Sequence, residues 1–282
     1  MKLAFSTLGC PQWPFADILK YGHEYGFDGV AFRGVKGELD LAKVPEFAPA
    51  ERRRSRERMR RAGLEPSMLL TSTRLMLVKP AEIEESLNSA RAHIDLAAEL
   101  GAPAVRVFGG QLPVGLSRSA AVRRAAERLR QLGDHAARKG VLVLLETHDD
   151  FTDPIMVRQV MEAALHPAVG VLWDIHHPFR ILAQPTEQAW RELGPWVKAC
   201  DLKDSVSDDT ARLGYRYVRI GEGELPLDAT LRLLHDVQYD GWLTFEWEKM
   251  WHPDIADPHD SFPHFTRTIR ERLARFDSSV AE

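Results

Sequence analysis

The chain is short of several things, and each shortage excludes a class of protein. It has two cysteines in 282 residues, Cys10 and Cys200, too few and too far apart for a disulfide framework or a zinc knuckle. A reducing, cytoplasmic setting is therefore expected. It has no surplus of positive charge: a net charge of −4 and a pI near 6.3 give no global field to draw in nucleic acid or an anionic membrane, and neither is expected as a partner. No apolar run approaches the ~20 residues of a membrane span. The opening MKLAFSTLGC has too short an apolar stretch before Gly9 and Pro11 for a secretory leader. Low-complexity linkers and breaks in composition are missing as well, so residues 1–282 are expected to form one domain.

What is present is 44% hydrophobic and 28% charged sequence, enough for a large core inside a solvated shell. Short apolar runs alternate with longer amphipathic ones, the pattern of repeated strand–helix units around a parallel sheet. Strands are expected at residues 3–7, 28–33, 65–70, 104–108, 141–146, 169–174, 197–203 and 243–246. Helices are expected at 14–25, 45–62, 81–100, 117–139, 154–165, 186–193, 227–236 and 262–276, the first four closed by glycines. This alternation in a chain of about barrel length predicts the α/β class and a (β/α)8 TIM barrel, a fold of about 250 residues.

In a closed parallel barrel the C-terminal ends of all strands meet at one mouth. Here four successive strands run into acids: Glu146, Asp174, Asp204 and Glu246. Any one of them could simply cap the next helix. A row of carboxylates around one mouth, however, repels itself unless a cation neutralises it, which predicts a bound divalent metal. All-oxygen ligation favours manganese, magnesium or cobalt over structural zinc. His148, two residues past Glu146, faces the same way if the strand continues, beside the substrate or orienting Glu146. His176 and His177 are expected in a loop open to the mouth, ahead of Pro178. Lys203 points opposite to its strand neighbours, as a structural residue or as a counter-charge. Sugar sites pair polar groups with an aromatic plate, for which Trp13 and Trp251 are candidates, although packing between loops explains them equally well. Arg33 and His252 are further candidates for substrate contact. The arginine run over 52–61 reads as a solvated helix face. Nothing resembles a dedicated phosphate cradle, which favours a free sugar or polyol ketone as the small-molecule partner.

The order and spacing of LLETH (144–148), WDIHH (173–177), LKD (202–204), GEGELPL (221–227) and GWLTFEWE (241–248) resemble the sugar phosphate isomerase/epimerase family, whose fold is the xylose isomerase-like barrel. The resemblance implies metal ligation by Glu146, Asp174 and Glu246. Where that family has a histidine, three residues before the aspartate of its His-x-Lys-Asp motif, this chain has Asp201, which could ligate in its place. The resemblance further places His177 beside the substrate oxygens and gives Glu146 and Glu246 the acid/base work on opposite sides of one carbon. The implied activity is a metal-dependent sugar isomerase or epimerase acting through an enediolate, with Mn2+ first among Mg2+, Co2+ and Zn2+, and compatible with a homo-oligomer. The alternatives are a dehydratase of a keto-polyol such as an inosose, a phosphodiesterase of the endonuclease IV kind, and a barrel that binds sugar without turning it over.

Overall fold

Eight parallel strands close on one another in a computed structural model that describes residues 1–279. In chain order the elements are β1 (Lys2–Ser6), α1 (Phe15–Glu24), β2 (Gly29–Phe32), α2 (Arg52–Arg61), β3 (Glu65–Arg74), α3 (Pro80–Leu100), β4 (Ala104–Phe108), α4 (Arg118–Ala137), β5 (Leu142–Glu146), α5 (Pro154–Ala164) and β6 (Val169–Asp174). They continue as α6 (His176–Leu182), α7 (Thr186–Leu193), β7 (Val197–Leu202), β8 (Asp204–Ser207), β9 (Tyr215–Val218), α8 (Leu227–Asp236), β10 (Trp242–Phe245) and α9 (Pro258–Ser279). The barrel order is β1-β10-β7-β6-β5-β4-β3-β2, closed by the parallel pairing of β1 with both β2 and β10. The expected TIM barrel is therefore present, with the expected units in the expected order.

Three local departures have identifiable causes. The helix expected from residue 45 begins only at Arg52: Ala48, which precedes Pro49, is extended at φ −58° and ψ 147°, because the proline ring disfavours helical backbone at the residue before it. The stretch after β6 is not the expected loop. Asp174 Oδ1 accepts from the backbone N–H groups of His176 and His177, at 2.9 and 3.2 Å, and this cap starts α6, with Pro178 tolerated in its first turn. Finally, β8 and β9 form an antiparallel hairpin outside the barrel, Asp204 opposite Val218, where only a strand end was expected.

The apolar interior divides in two. Ala31, Met68, Leu70, Ala104, Leu144, Leu172 and Ala199 form a small cluster inside the barrel. A much larger one, including Val143, Leu145, Val171 and Trp173, lies between the strands and the helices. Every barrel strand is thus buried on both faces, as parallel strands are. Among the described residues, no helix is long and apolar enough to cross a membrane.

Candidate active site

Side chains on a strand alternate between its two faces, and that period decides what the mouth contains. Leu144 belongs to the inner cluster, so Glu146, two residues on, also points inward; Leu172 sets Asp174 in the same way. Ala199 sets Asp201 and then Lys203, Ala104 sets Arg106, and Ala31 sets Arg33. All six are buried, as is Glu246 at the end of β10. The site is the polar continuation of the apolar barrel floor.

Glu146, Asp174 and Glu246 each bring one carboxylate oxygen within 4.8 Å of the others. Three buried anions at that spacing need cations, and two are supplied by the chain. Lys203 Nζ, which has no exposed surface, lies 2.8 Å from Asp174 Oδ2, 2.5 Å from Glu246 Oε2 and 2.8 Å from Glu248 Oε1. Burial lowers the pKa of the Lys203 ammonium, but these three carboxylates outweigh it and hold the group well above its ordinary value. On the opposite wall Arg106 Nε lies 3.0 Å from Glu146 Oε2, its guanidinium 3.7 Å over the Phe108 ring. Burial, eased by Arg106 and His148 but reinforced by Glu246 and Asp174, pushes Glu146 up to about 7. A carboxylate poised there can exchange a proton at neutral pH.

The spacing of the three acids also suits a shared cation. Glu146 Oε2 and Asp174 Oδ2, each ion-paired with one of these cations, are buried and complete no hydrogen bond, and hard oxygen donors suit a divalent ion such as manganese or magnesium. The residues present fit a metal. Asp201 stands differently from the other acids. In the strand register it lies level with Asp174 and with Thr244, two residues below Glu246, whereas Leu202 pairs with Phe245 and so brings Lys203 level with Glu246. Asp201 is in none of the ligand groups found among the described residues. Both its oxygens are buried without a hydrogen bond, and burial, with Glu246, Glu146 and Asp174 nearby, raises its pKa well above the carboxylate range.

His177 Nδ1 lies 2.9 Å from the Thr147 carbonyl oxygen and 3.3 Å from Asp174 Oδ2. Burial and the Lys203 charge hold its pKa well below the ordinary value. A neutral ring that donates through Nδ1 leaves Nε2 as an acceptor. His148 packs against His177 and Phe108, with ring centroids 4.8 and 4.6 Å away. Burial lowers its pKa, but Asp149 at 3.2 Å and Glu146 reverse the balance and raise it. The two histidines are thus shifted in opposite directions while their rings touch. His176 is not open to the mouth as expected; it is fully buried in α6, with Nε2 2.7 Å from Ser205 Oγ.

A family model described as xylose isomerase-like TIM barrel matches residues 19–271. The chain belongs to that family. Among curated proteins it is 24% identical over 197 residues to 3-dehydroshikimate dehydratase of Bacillus anthracis, covering 69% of this chain and 68% of that one. It is also 24% identical over 255 residues to fructoselysine 3-epimerase of Shigella flexneri, covering 87% and 90%. A crystal structure of the IOLI protein with a bound zinc atom superposes with a TM-score of 0.79 at 16% identity, over 98% of this chain and 99% of that one. That structural likeness bears on the fold alone.

Within this xylose isomerase-like barrel the remaining candidates fall elsewhere. Trp13 packs on Tyr21, His259 and Phe262, against α1 and α9. Trp251 is 51% exposed, and His252 packs edge-on against Tyr217. Asp204, counted above among the acids at strand ends, is a loop anchor: its carboxylate accepts from the backbone N–H groups of Ser205, Gly221, Gly223 and Leu225. It thereby fixes most of the GEGELPL segment. A side chain on Gly223 would collide with that carboxylate. The sequence reading missed Arg106 and Glu248. An arginine within the otherwise apolar AVRVF of β4, at an inward position, was the signal for the first.

The raised pKa of Glu146 has a consequence for stability. Its folded-state value near 7 lies above its ordinary 4.5, so the folded protein holds a proton that the unfolded chain gives up. The stabilisation is full below about pH 4.5 and is lost as pH rises through 7. Metal-free protein is therefore expected to lose a few kcal/mol between pH 5 and 8, read as a falling Tm. Excess Mn2+ is expected to flatten the profile and Glu146→Gln to remove much of it. A profile that is level without metal would contradict the assignment.

Proposed function

We propose that this barrel moves a proton on the carbon beside a ketone carbonyl of a small polyhydroxylated molecule, as a sugar epimerase or isomerase. The observation that carries the reading is the convergence of Glu146 and Glu246, from β5 and β10, with Asp174 at one buried point, Glu146 being held near neutrality. A divalent ion held by Glu146, Asp174 and Glu246, with Asp201 as a fourth oxygen donor once it loses its proton, would supply polarisation of the carbonyl and its neighbouring hydroxyl. Mn2+ or Mg2+ is the ion best matched to these donors.

The chain's own residues divide the work. Glu146, backed by Arg106, is the group best placed to take the proton, its pKa lying close to working pH. Glu246, fixed by Lys203, delivers a proton taken up from solvent to the other side of the same carbon to invert it, and Glu146 releases its proton to solvent before the next turnover; return of the proton to the adjacent carbon instead isomerises the sugar. His177 Nε2 accepts a hydrogen bond from a substrate hydroxyl, while His148, whose pKa is raised by Asp149 and Glu146, is the ring better suited to donate to a developing oxyanion. Dehydration begins with the same proton removal and then expels a β-hydroxyl. The similarity to a 3-dehydroshikimate dehydratase keeps that reading beside the first.

The deciding experiment is incubation with a panel of ketoses and keto-polyols in deuterated water with Mn2+. Epimerisation or isomerisation is expected to place one deuterium at the exchanging carbon without loss of water; dehydration lowers the mass by one water. Exchange is expected to fall to background in excess chelator. Full activity in chelator would remove the metal from the reading, and no exchange on any compound would remove proton transfer itself.

A further inference from the structure

Of the three buried cations at the mouth, two are answered by carboxylates: Arg106 by Glu146, and Lys203 by Asp174, Glu246 and Glu248. The third, Arg33, is not. Its side chain is only 8% exposed, yet among the described residues its guanidinium meets neutral acceptors only, the Leu39 carbonyl oxygen at 3.4 Å and Ser72 Oγ at 2.9 Å. Arg33 follows directly on β2 and is held there by its own backbone, whose N–H donates to Thr7 Oγ1 at 2.9 Å. It has the inward parity of Ala31, and Ser72, its better partner, is exposed. A guanidinium kept out of water normally takes a carboxylate or phosphate in its fork of donors. We infer that Arg33 is the recognition point for an anionic group on the substrate, a carboxylate or a phosphate, bound on the β2–β4 wall while the ketone lies against the carboxylates of β5, β6 and β10. The inference rests on the proposed proton-transfer reading and adds to it the substrate class: an acidic ketone instead of a neutral sugar.

Two further observations agree. Arg33 and Arg106 act on each other as like charges, and burial with that repulsion outweighs the attraction of Glu246 and Glu146, neither of which forms an ion pair with Arg33, and lowers Arg33 to about 10. An anion between them offsets the repulsion and favours the charged form of both. The partition of charge is also spatial: the β2–β4 wall carries Arg33 and Arg106, and the acids of the mouth lie on β5 to β10. A substrate with an anionic end and a ketone end has one orientation in such a field, and a neutral sugar has no such preference.

The test uses three ketoses that differ only at the sixth carbon: fructose, fructuronate and fructose 6-phosphate. Binding to the manganese-loaded protein is measured by calorimetry for wild type, Arg33→Gln and Arg33→Lys. Wild type is expected to bind one acidic member about tenfold to a hundredfold more tightly than fructose, the range of a charge-assisted hydrogen bond, and which member it is distinguishes carboxylate from phosphate. Arg33→Gln is expected to erase the preference, the ratio of acid to fructose affinity falling to about one, and Arg33→Lys to restore part of it. A purely structural arginine would weaken all three ligands together or lower Tm in both variants. Equal binding of all three by wild type, a preference that survives Arg33→Gln, or no binding of either acid overturns the inference. Deuterium exchange on the same compounds separates it from the reading beneath it. An acid bound through Arg33 without exchange defeats proton transfer only, and exchange on fructose with no acid preference defeats the anion site only.

Discussion

Glu246→Gln is expected to lower the rate of α-proton exchange by about 10²–10⁴-fold while leaving the protein folded. The amide keeps the size of the side chain and one oxygen acceptor but cannot carry a proton to carbon. Lys203 retains Asp174 and Glu248 as partners, so Tm is expected to change little. The check is single-turnover exchange in deuterated water alongside the metal content of the purified variant. Loss of exchange with metal retained separates proton transfer from metal binding. Undiminished exchange would show that Glu246 is not one of the two proton carriers. A large drop in metal content with the same residual rate would assign it to binding alone.

The largest effect on stability is expected at Lys203. Its ammonium is fully enclosed, and the side chains of Asp174, Glu246 and Glu248 are 0%, 6% and 14% exposed. Lys203→Met fills nearly the same space but leaves the three carboxylates without their shared counter-charge. Removing one partner of a buried charge pair costs about 3–5 kcal/mol, so the denaturant midpoint is expected to fall by a corresponding amount. The loss should be smaller at low pH, where protons replace the missing charge, and smaller with saturating Mn2+. A variant as stable as wild type at pH 8 without metal would mean that these carboxylates find another compensation.

The architecture was legible because it depends on composition and period. The run 141–145 is apolar throughout, and 169–173 nearly so, as strands covered on both faces are, and glycine at the end of α3, where Gly101 takes φ +83°, marks its stop. Glu146, Asp174 and Glu246 were legible as the polar ends of such runs. The rest depended on which way a side chain turns and what it meets there. Asp204 and Lys203 are adjacent in sequence, yet one anchors a loop and the other sits among carboxylates; strand parity separates them only once the register of β7 against β10 is known. The α6 helix was hidden because its cap is a residue already read as a site acid: Asp174 gives one oxygen to two backbone N–H groups and keeps the other for the mouth. Arg106 was passed over because a charged residue inside an apolar strand makes sense only when its partner, Glu146 on the neighbouring strand, is in view.

The alternation that places Leu144 inside the barrel and Glu146 above it also gives the molecule a reading frame of two. Lengthening a connecting loop leaves that frame untouched, so the rim can vary widely in size and shape. Adding one residue between Leu144 and Glu146 would turn the carboxylate into the greasy layer beneath the helices and bring a neighbour of opposite character into the mouth. Insertions of two would only raise the acid by one storey. Tolerance to length change in this chain should therefore alternate between even and odd along the upper half of each strand, and that parity, more than the identity of any single neighbour, keeps the acids facing one another.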